Sequence, residues 1–292
     1  MAKFNGDHIK LAIQKDGRLT EDTRALLRTV GLHFESYKQR LFSICRNFPL
    51  DILYVRDDDI PEYVAEGVVD LGIVGQNLVV ESGTKVTELL PLNYGHCSLM
   101  VAVPAESGIE NIQQLEGLKI ATSYPLTTTK YFAEHKVNVN VITISGSVEI
   151  TPALGVSSAI VDLVSTGSSL KLNDLVPIAT VLDSQSSLIA NPTSIENVYK
   201  KAIIDRLMTR FRGVLAAADY KYVMMNIPRS ALEYVSTTTP GLKSPTVLPT
   251  ADAEWMVVHT AIREDMFWDV IEKLKEHGAQ GILVSSIEKM FV

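Results

Sequence analysis

Only two cysteines occur in the 292 residues, Cys45 and Cys97, and they stand in no CxxC or metal-ligand spacing. That excludes a disulfide framework or a thiolate metal site and leaves two buried free thiols as the expectation. Basic residues are also in short supply, since 27 Lys and Arg face 34 Asp and Glu for a net charge of −7. Such a balance does not suit a nucleic-acid backbone, although a few local arginines can still hold a small anion. No apolar run reaches the ~20 residues that a bilayer requires. The N-terminal MAKFNGDHIKLAIQKDG lacks the apolar core and cleavage site of an export signal, so a soluble cytoplasmic chain is expected. The six histidines show neither HxxxH nor HExxH spacing, and no GxSxG elbow or phosphate-loop lysine is present. Zinc hydrolase, serine hydrolase and Walker-type nucleotide chemistry are thereby excluded.

What is there is a chain that is 46% hydrophobic, enough for two or three ordinary domains. Short β-branched runs alternate with helix patterns, the mark of α/β architecture with largely parallel sheets. HIKLAI (8–13), PLDILYV (49–55) and VVDLGIV (68–74) predict strands of a first lobe. Thr20 is placed to cap a helix running to Val30, and Asp59, Pro61 and Gly67 bracket another. CSLMVAV (97–103), LKIAT (118–122), residues 137–144, AIVDLV (159–164) and PIATVL (177–182) predict strands of a second lobe. Two internal pairs, IKLAIQK with LKIATSY and VDLGIVGQNL with VDLVSTGSSL, suggest that the lobes duplicate one plan around a cleft. Residues 194–218 have apolar positions at three- and four-residue steps and predict one long helix. The tail then reads strand, helix, strand, strand, helix, strand, with strands at KYVMMNI, TVLP, EWMVVHTAI and QGILVSSI, the order of a small ferredoxin-like module.

The stretch from Ser158 to Leu170, SAIVDLVSTGSSL, carries the best local chemistry. Ser165, Thr166, Gly167, Ser168 and Ser169 follow a strand, and such a turn either caps the next helix or offers N–H and O–H donors to a phosphate. On the second reading Asp162 accepts hydrogen bonds from sugar hydroxyls, and Glu149 borders the same pocket. Positive charge sits in first-lobe turns, at Lys15, Arg18, Arg40 and Arg56. Arg18 and Arg56 both follow strands, and ligands of open α/β sheets collect at the carboxyl edge. The run Asp57, Asp58, Asp59 invites a metal reading, but three consecutive carboxylates at a helix start cannot all face one ion.

The run from Glu149 to Leu170 resembles the phosphoribosyl pyrophosphate signature of the ATP phosphoribosyltransferases, pentosyltransferases that open histidine biosynthesis. QKDGRL, VRDDDIP, GVVDLGIVGQN, KIATSYP, KYVMMN, PTVLP and GILVSSIEKM resemble family segments in the same order, so the likeness covers nearly the whole chain. It implies a type II periplasmic-binding-protein-like unit, with lobe I at 1–96 and 188–218, lobe II at 97–187, and an ACT-like regulatory domain at 219–292. That is the long form of the enzyme, which binds histidine as a feedback inhibitor and assembles from dimers into hexamers. The implied reaction is Mg2+-dependent transfer of phosphoribosyl from phosphoribosyl pyrophosphate to ATP, with no nucleic acid or membrane partner. The resemblance assigns the 5-phosphate to Ser165 through Ser169, the ribose to Asp162 and Glu149, and the polyphosphates to Arg18, Arg40 and Arg56 with Lys15. It puts Asp70 and Gly72 on the cleft wall near adenine, and Asn226, Leu242, Thr246 and Gly281 around histidine, while no protein ligand of magnesium is singled out. Ser158 and Ser169 depart from the family pattern, which often has an acid and a threonine there, and Asn226 stands where some relatives carry an acid. The rival class is a two-lobed solute-binding protein, against which the hydroxyl loop and missing export signal both speak.

Overall fold

A computed structural model describes residues 7–35, 41–239 and 241–291. The described residues fall into two units: one runs to Ile204 apart from Arg28–Gly31, and the other takes that short segment with everything from Asp205.

In the first unit the chain begins with β1 (Ile9–Gln14) and α1 (Thr20–Thr29), then β2 (Phe42–Ile44), β3 (Leu50–Val55), α2 (Ile60–Ala65), β4 (Leu71–Gly75), α3 (Gln76–Ser82) and β5 (Thr87–Pro91). It crosses to a second lobe made of β6 (Cys97–Pro104), β7 (Lys119–Thr122), α4 (Pro125–Glu134), β8 (Asn140–Thr143), β9 (Ala159–Val164), α5 (Ser168–Leu172) and β10 (Leu175–Ser184). It then returns to the first lobe through β11 (Ser186–Ala190), α6 (Pro192–Glu196) and the start of α7 (Val198–Ala218). β1 and β4 are buried at nearly every position, which suits parallel strands covered on both faces. Leu11, Ile13, Leu50, Ile52, Leu71 and Ile73 are almost wholly shielded from solvent, each such side chain contributing about 1.5–3 kcal/mol.

The strand orders are β2-β3-β1-β4-β11-β5 and β10-β6-β9-β7-β8. Taken from the outer parallel strand, β3-β1-β4-β11-β5 and β8-β7-β9-β6-β10 have the same direction at every step, two parallel pairings followed by two antiparallel ones. The duplicated plan expected from sequence is thus present in the topology. IKLAIQK and LKIATSY occupy equivalent strands, β1 and β7. The second sequence pair is out of step. Leu11 pairs with Leu71, but Ile120 pairs with Ala159 where the sequence alignment would need Leu163, a slip of four residues. Asp70 N donates to Lys10 O at 3.0 Å and Ser158 N to Lys119 O at 2.8 Å, so the structural counterpart of Asp70 is Ser158, not Asp162.

Two local expectations are corrected by capping. The predicted single helix at 194–218 is broken at Asn197, which is extended (ψ 116°) and whose Oδ1 accepts from Lys200 N at 3.0 Å to start α7. Asparagine offers the backbone this alternative to continuing a helix. Thr20 lies inside α1 and its hydroxyl has no partner, because the Thr23 N–H that it would accept donates instead to Leu19 O at 2.9 Å. The short strands β2, β5 and β11 carried no clear alternation in the sequence and are set by their neighbours. Both cysteines are buried and free. Among the described residues no helix is long and apolar enough to cross a membrane.

The second unit completes α7 and then runs β12 (Tyr220–Pro228), α8 (Leu232–Thr238), β13 (Thr246–Pro249), β14 (Trp255–Arg263), α9 (Phe267–Glu276) and β15 (Gln280–Ser286). Its order β13-β14-β12-β15, antiparallel throughout, is that of a ferredoxin-like module. Val223, Met225, Ile227, Val258 and Ile262 meet Val235, Val270, Ile271 and Leu274 in one core, so both helices cover one face of the sheet. By the two-residue period of a strand, Tyr222, Met224 and Asn226 stand on the other face.

The lobes of the first unit are tied at the chain crossings. Leu92 N donates to Ser186 O and Ser186 N to Tyr94 O, both at 2.9 Å. The buried Tyr94 hydroxyl lies 2.6 Å from Thr23 Oγ1, and burial pushes its pKa up to about 12. A second tie runs between helices. Glu81, in the last turn of α3, accepts from Leu126 N and Thr127 N at 2.9 Å and from Thr127 Oγ1 at 2.7 Å, capping α4 of the other lobe. Glu81→Ala removes that cap, and urea unfolding should show a stability loss of about 1–2 kcal/mol; Glu134→Ala, at an exposed site of α4, should leave the midpoint within experimental error.

Candidate functional site

Parallel sheets present the amino ends of their following helices at the carboxyl edge of the strands, and a ligand collects there. Both lobes turn that edge toward the cleft through β1, β3, β7 and β9. After β9 the chain makes a hydroxyl-rich turn in which Gly167 (φ 74°) adopts a left-handed conformation and leads directly into α5. The Thr166 and Ser168 hydroxyls hydrogen-bond to each other across it. Thr166, Ser168 and Ser169 remain exposed, so their donors are open to an incoming anion.

A cavity of about 150 Å³ is lined by this turn, Ser165 to Ser169, together with Asp162, Glu149 and Arg18. Arg18 comes from the turn after β1, so the cavity draws one cation from the first lobe and its carboxylates and hydroxyls from the second. Asp162 sits near the end of β9, accepting from Leu163 N at 2.8 Å. Burial holds its pKa above the usual carboxylate value, the Leu163 bond pulls the other way, and the Glu149 carboxylate adds to the rise. A second cavity of about 540 Å³ is lined by Arg56, Asp57, Asp58, Glu81, Ser123, Tyr124 and Gly146 among others. Tyr124 ends the β7 turn; burial first, then the Asp162 and Asp58 carboxylates, keep its phenol well above its ordinary pKa. Asn77 Nδ2 reaches the Tyr124 hydroxyl at 3.4 Å, while Asn77 N and Oδ1 both bond the Ser184 hydroxyl at 3.0 Å.

Of the residues predicted from sequence, Arg18, Glu149, Asp162 and Ser165 to Ser169 therefore gather at one cavity and Arg56 at its larger neighbour. Lys15 lies at the same strand edge, its N–H bonded to Val55 O at 2.8 Å, and lines neither cavity. Arg40 lies outside the described residues. Asp70 and Gly72 are corrected. Asp70 precedes β4 at the opposite, amino edge, buried and bonded by Lys10 N at 2.8 Å, Ser194 Oγ at 2.7 Å and Lys200 Nζ at 2.7 Å. Gly72 packs β4 beneath α2, where an added Cβ would come within 2.6 Å of Ile60 and 2.9 Å of Val64. Ser158 is likewise at the amino edge of β9, so its departure from the family pattern does not touch the cavity. Sequence reasoning passed over Tyr124, Asn77 and Glu81. The signal was an aromatic residue between a strand end and a helix-starting proline in SYP, a position that faces the cleft.

In the second unit Asn226 is exposed on the helix-free face of the sheet, and Gly281 (φ 56°) lies beside it, an added Cβ falling 2.9 Å from Asn226 Nδ2. Thr246 opens β13 opposite His259, and exposed Leu242 is in the preceding turn. His259 Nδ1 bonds the Tyr222 hydroxyl at 2.6 Å on that face.

These features define a two-lobed periplasmic-binding-protein-like α/β chain with a hydroxyl-rich turn at its cleft and a ferredoxin-like module appended. A family model described as ATP phosphoribosyltransferase matches residues 56–213, and one described as HisG, C-terminal domain, matches residues 217–289. The chain is 44% identical to an ATP phosphoribosyltransferase of Cytophaga hutchinsonii over 97% of its own length and 98% of that protein. It is 41% identical to one of Bacteroides thetaiotaomicron over 97% and 100% of the two chains. Among solved structures, a chain of the ATP phosphoribosyl transferase (HisG:HisZ) complex of Thermotoga maritima matches with a TM-score of 0.61 and 27% identity, covering 70% of this chain and 98% of that one. The chain belongs to the ATP phosphoribosyltransferase family, in its long form with the C-terminal domain, and the solute-binding alternative falls.

Because the folded chain binds the Asp162 proton more tightly than the unfolded chain, ionising this group costs stability as pH rises through the carboxylate range, and the cost persists above it. Asp162→Asn should therefore melt above the wild type at pH 7–8. The difference should close below about pH 4, where the unfolded carboxylate is protonated too.

Proposed function

We propose that this protein transfers the phosphoribosyl group of phosphoribosyl pyrophosphate to a ring nitrogen of the adenine of ATP, the first step of histidine biosynthesis in the cytoplasm. The observation that carries this reading is the single cavity shared by Arg18, Glu149, Asp162 and the turn Ser165 to Ser169. The 5-phosphate takes the N–H and O–H donors of that turn, and Asp162 with Glu149 holds the ribose hydroxyls. The adenine nitrogen forms its bond to the anomeric carbon as the bond to the pyrophosphate oxygen breaks. Positive charge grows on the ribose and negative charge on the leaving group, so the site works by positioning and by charge rather than through a protein nucleophile. The Asp162 and Glu149 carboxylates face the first charge, while Arg18, Arg56 and Arg40, aided by Lys15, meet the second. The larger cavity, bordered by Tyr124 and Arg56, has the volume for a nucleotide.

Among the described residues no group of three or more His, Cys, Asp or Glu forms a metal cage. Two carboxylates at the donor cavity do fit Mg2+, which keeps much of its shell on phosphates and water. Bound with the polyphosphate there, the ion would neutralise leaving-group charge. The further proposal is that histidine binds the helix-free face of the C-terminal module near Asn226, Leu242, Thr246 and Gly281 and inhibits the enzyme, which works as a homo-oligomer of dimers up to a hexamer.

Purified protein given ATP, phosphoribosyl pyrophosphate and Mg2+ should form phosphoribosyl-ATP without a partner subunit; no product refutes the long-form enzyme. Asp162→Ala and Thr166→Val should each lower kcat/KM for phosphoribosyl pyrophosphate by about tenfold or more, a transition-state loss of at least ~1.4 kcal/mol. Histidine should raise the melting temperature of the wild type. Asn226→Asp, by adding a charge-assisted bond to the amino group, should tighten histidine binding about tenfold in calorimetry, whereas unchanged affinity would remove Asn226 from the inhibitor site.

A further inference from the structure

Gln14 ends β1 and is 7% exposed, a position where a buried side-chain amide needs partners on both ends. It has them in two different turns. Its Oε1 accepts from Leu19 N at 3.1 Å, in the turn that carries Arg18 to the donor cavity. Its Nε2 donates to Asp57 Oδ2 at 2.7 Å, next to Arg56 of the larger cavity. The turn after β1 is shaped around this amide: Gly17 has φ 145°, and a Cβ there would come within 2.2 Å of Gln14 Nε2 and 2.6 Å of its Cδ. A donor and an acceptor on one planar group thus fix two turns in a single geometry. Neither Arg18 nor Arg56 has an ion-pair partner among the described residues; Lys15 N to Val55 O at 2.8 Å joins the strand ends, and the Gln14 amide links the turns beyond them.

We propose that Gln14 is a positioning residue that sets the spacing of the Arg18 and Arg56 turns, so that the two guanidinium groups act together on the phosphates of the bound substrates. The proposal rests on the phosphoribosyltransferase reading. Gln14 touches no substrate, and it acts through the backbone of its two neighbours. Reversing one donor should break the brace, and reversing its partner should restore it. Gln14→Glu keeps an acceptor for Leu19 N but sets a carboxylate against Asp57. With Asp57→Asn in addition, the new amide at position 57 can donate to the carboxylate introduced at position 14.

The test is a double-mutant cycle read by two signals, steady-state kinetics and calorimetric titration with inorganic pyrophosphate. In the otherwise wild-type chain, Gln14→Glu should raise the pyrophosphate Kd about tenfold or more and lower both kcat and kcat/KM for phosphoribosyl pyrophosphate about tenfold or more, because the two arginines meet charge that grows in the transition state. In the Asp57→Asn background the same exchange should cost less than about threefold, since the coupling belongs to the pair. Should Gln14→Glu fail to fold, Gly17→Ala takes its place, because it drives the Gln14 amide aside and should weaken pyrophosphate binding to a similar extent. A folded Gln14→Glu or Gly17→Ala protein that binds like the wild type overturns the brace, as does an equal loss in both backgrounds. A wild type that neither binds pyrophosphate nor turns over removes the functional reading and the brace together, which separates the two failures.

Discussion

The chain passes between its first two lobes twice, and the hydrogen bonds between those passages set the geometry on which the cleft depends. Leu92 and Ser186 pair across the crossing, Ser186 N also reaches Tyr94 O, and Gln76 N takes Gln185 O at 2.9 Å. A single passage would leave the lobes free to rotate about one covalent thread. Two bonded passages allow fewer relative settings, and each lobe keeps the carboxyl edge of its parallel strands toward the other. The Glu81 cap on α4 adds a polar tie on the cleft side, where an unpaired helix N-terminus would otherwise attract any available anion.

The cleft shares the acidic balance of the molecule, with Arg18 and Arg56 set among Glu149, Asp162, Asp57, Asp58 and Glu81. The chain as a whole is acidic, yet the turns after β1 and β3 each deliver one arginine to the cavities. The second lobe delivers hydroxyls, N–H groups and the two acids Asp162 and Glu149. Burial raises the Asp162 pKa, a cost that a purely structural carboxylate would avoid by facing water. Carboxylates perturbed by burial in this way gather at functional clefts.

The two similar lobes show how a repeat can mislead at the level of single residues. VDLGIVGQNL and VDLVSTGSSL align convincingly as strings, and on that alignment Asp70 would share the position of Asp162. Strand pairing places Ala159 where the first lobe has Leu71, so the matching acids end at opposite edges of their sheets. Asp70 is held by Lys200, Ser194 and Lys10 N far from the cleft edge, whereas Asp162 lines the cavity beside the hydroxyl turn. Strand register is decided by pairing with neighbours, and both alignments keep apolar residues inside, so hydrophobic pattern alone cannot separate them.

The hydroxyl turn, the arginines that follow strands and the ferredoxin-like tail were all legible in the sequence, because each depends on local residue types and short periods; the long form was legible only through the family resemblance. Helix breaks at Asn197, the loss of Thr20 as a cap and the short strands β2, β5 and β11 were not, since hydrogen bonds and sheet neighbours decide them. Chain chemistry by itself determined that a hydroxyl-rich glycine turn would follow β9, able either to cap the next helix or to face an anion. Only the tertiary structure decided that Arg18 would share a cavity with that turn and that Tyr124 would line the larger cavity. It also decided that Gln14 would join two turns: Asp57 lies 43 positions further along the chain, and the contact exists only because β1 and β3 pair in parallel and end side by side.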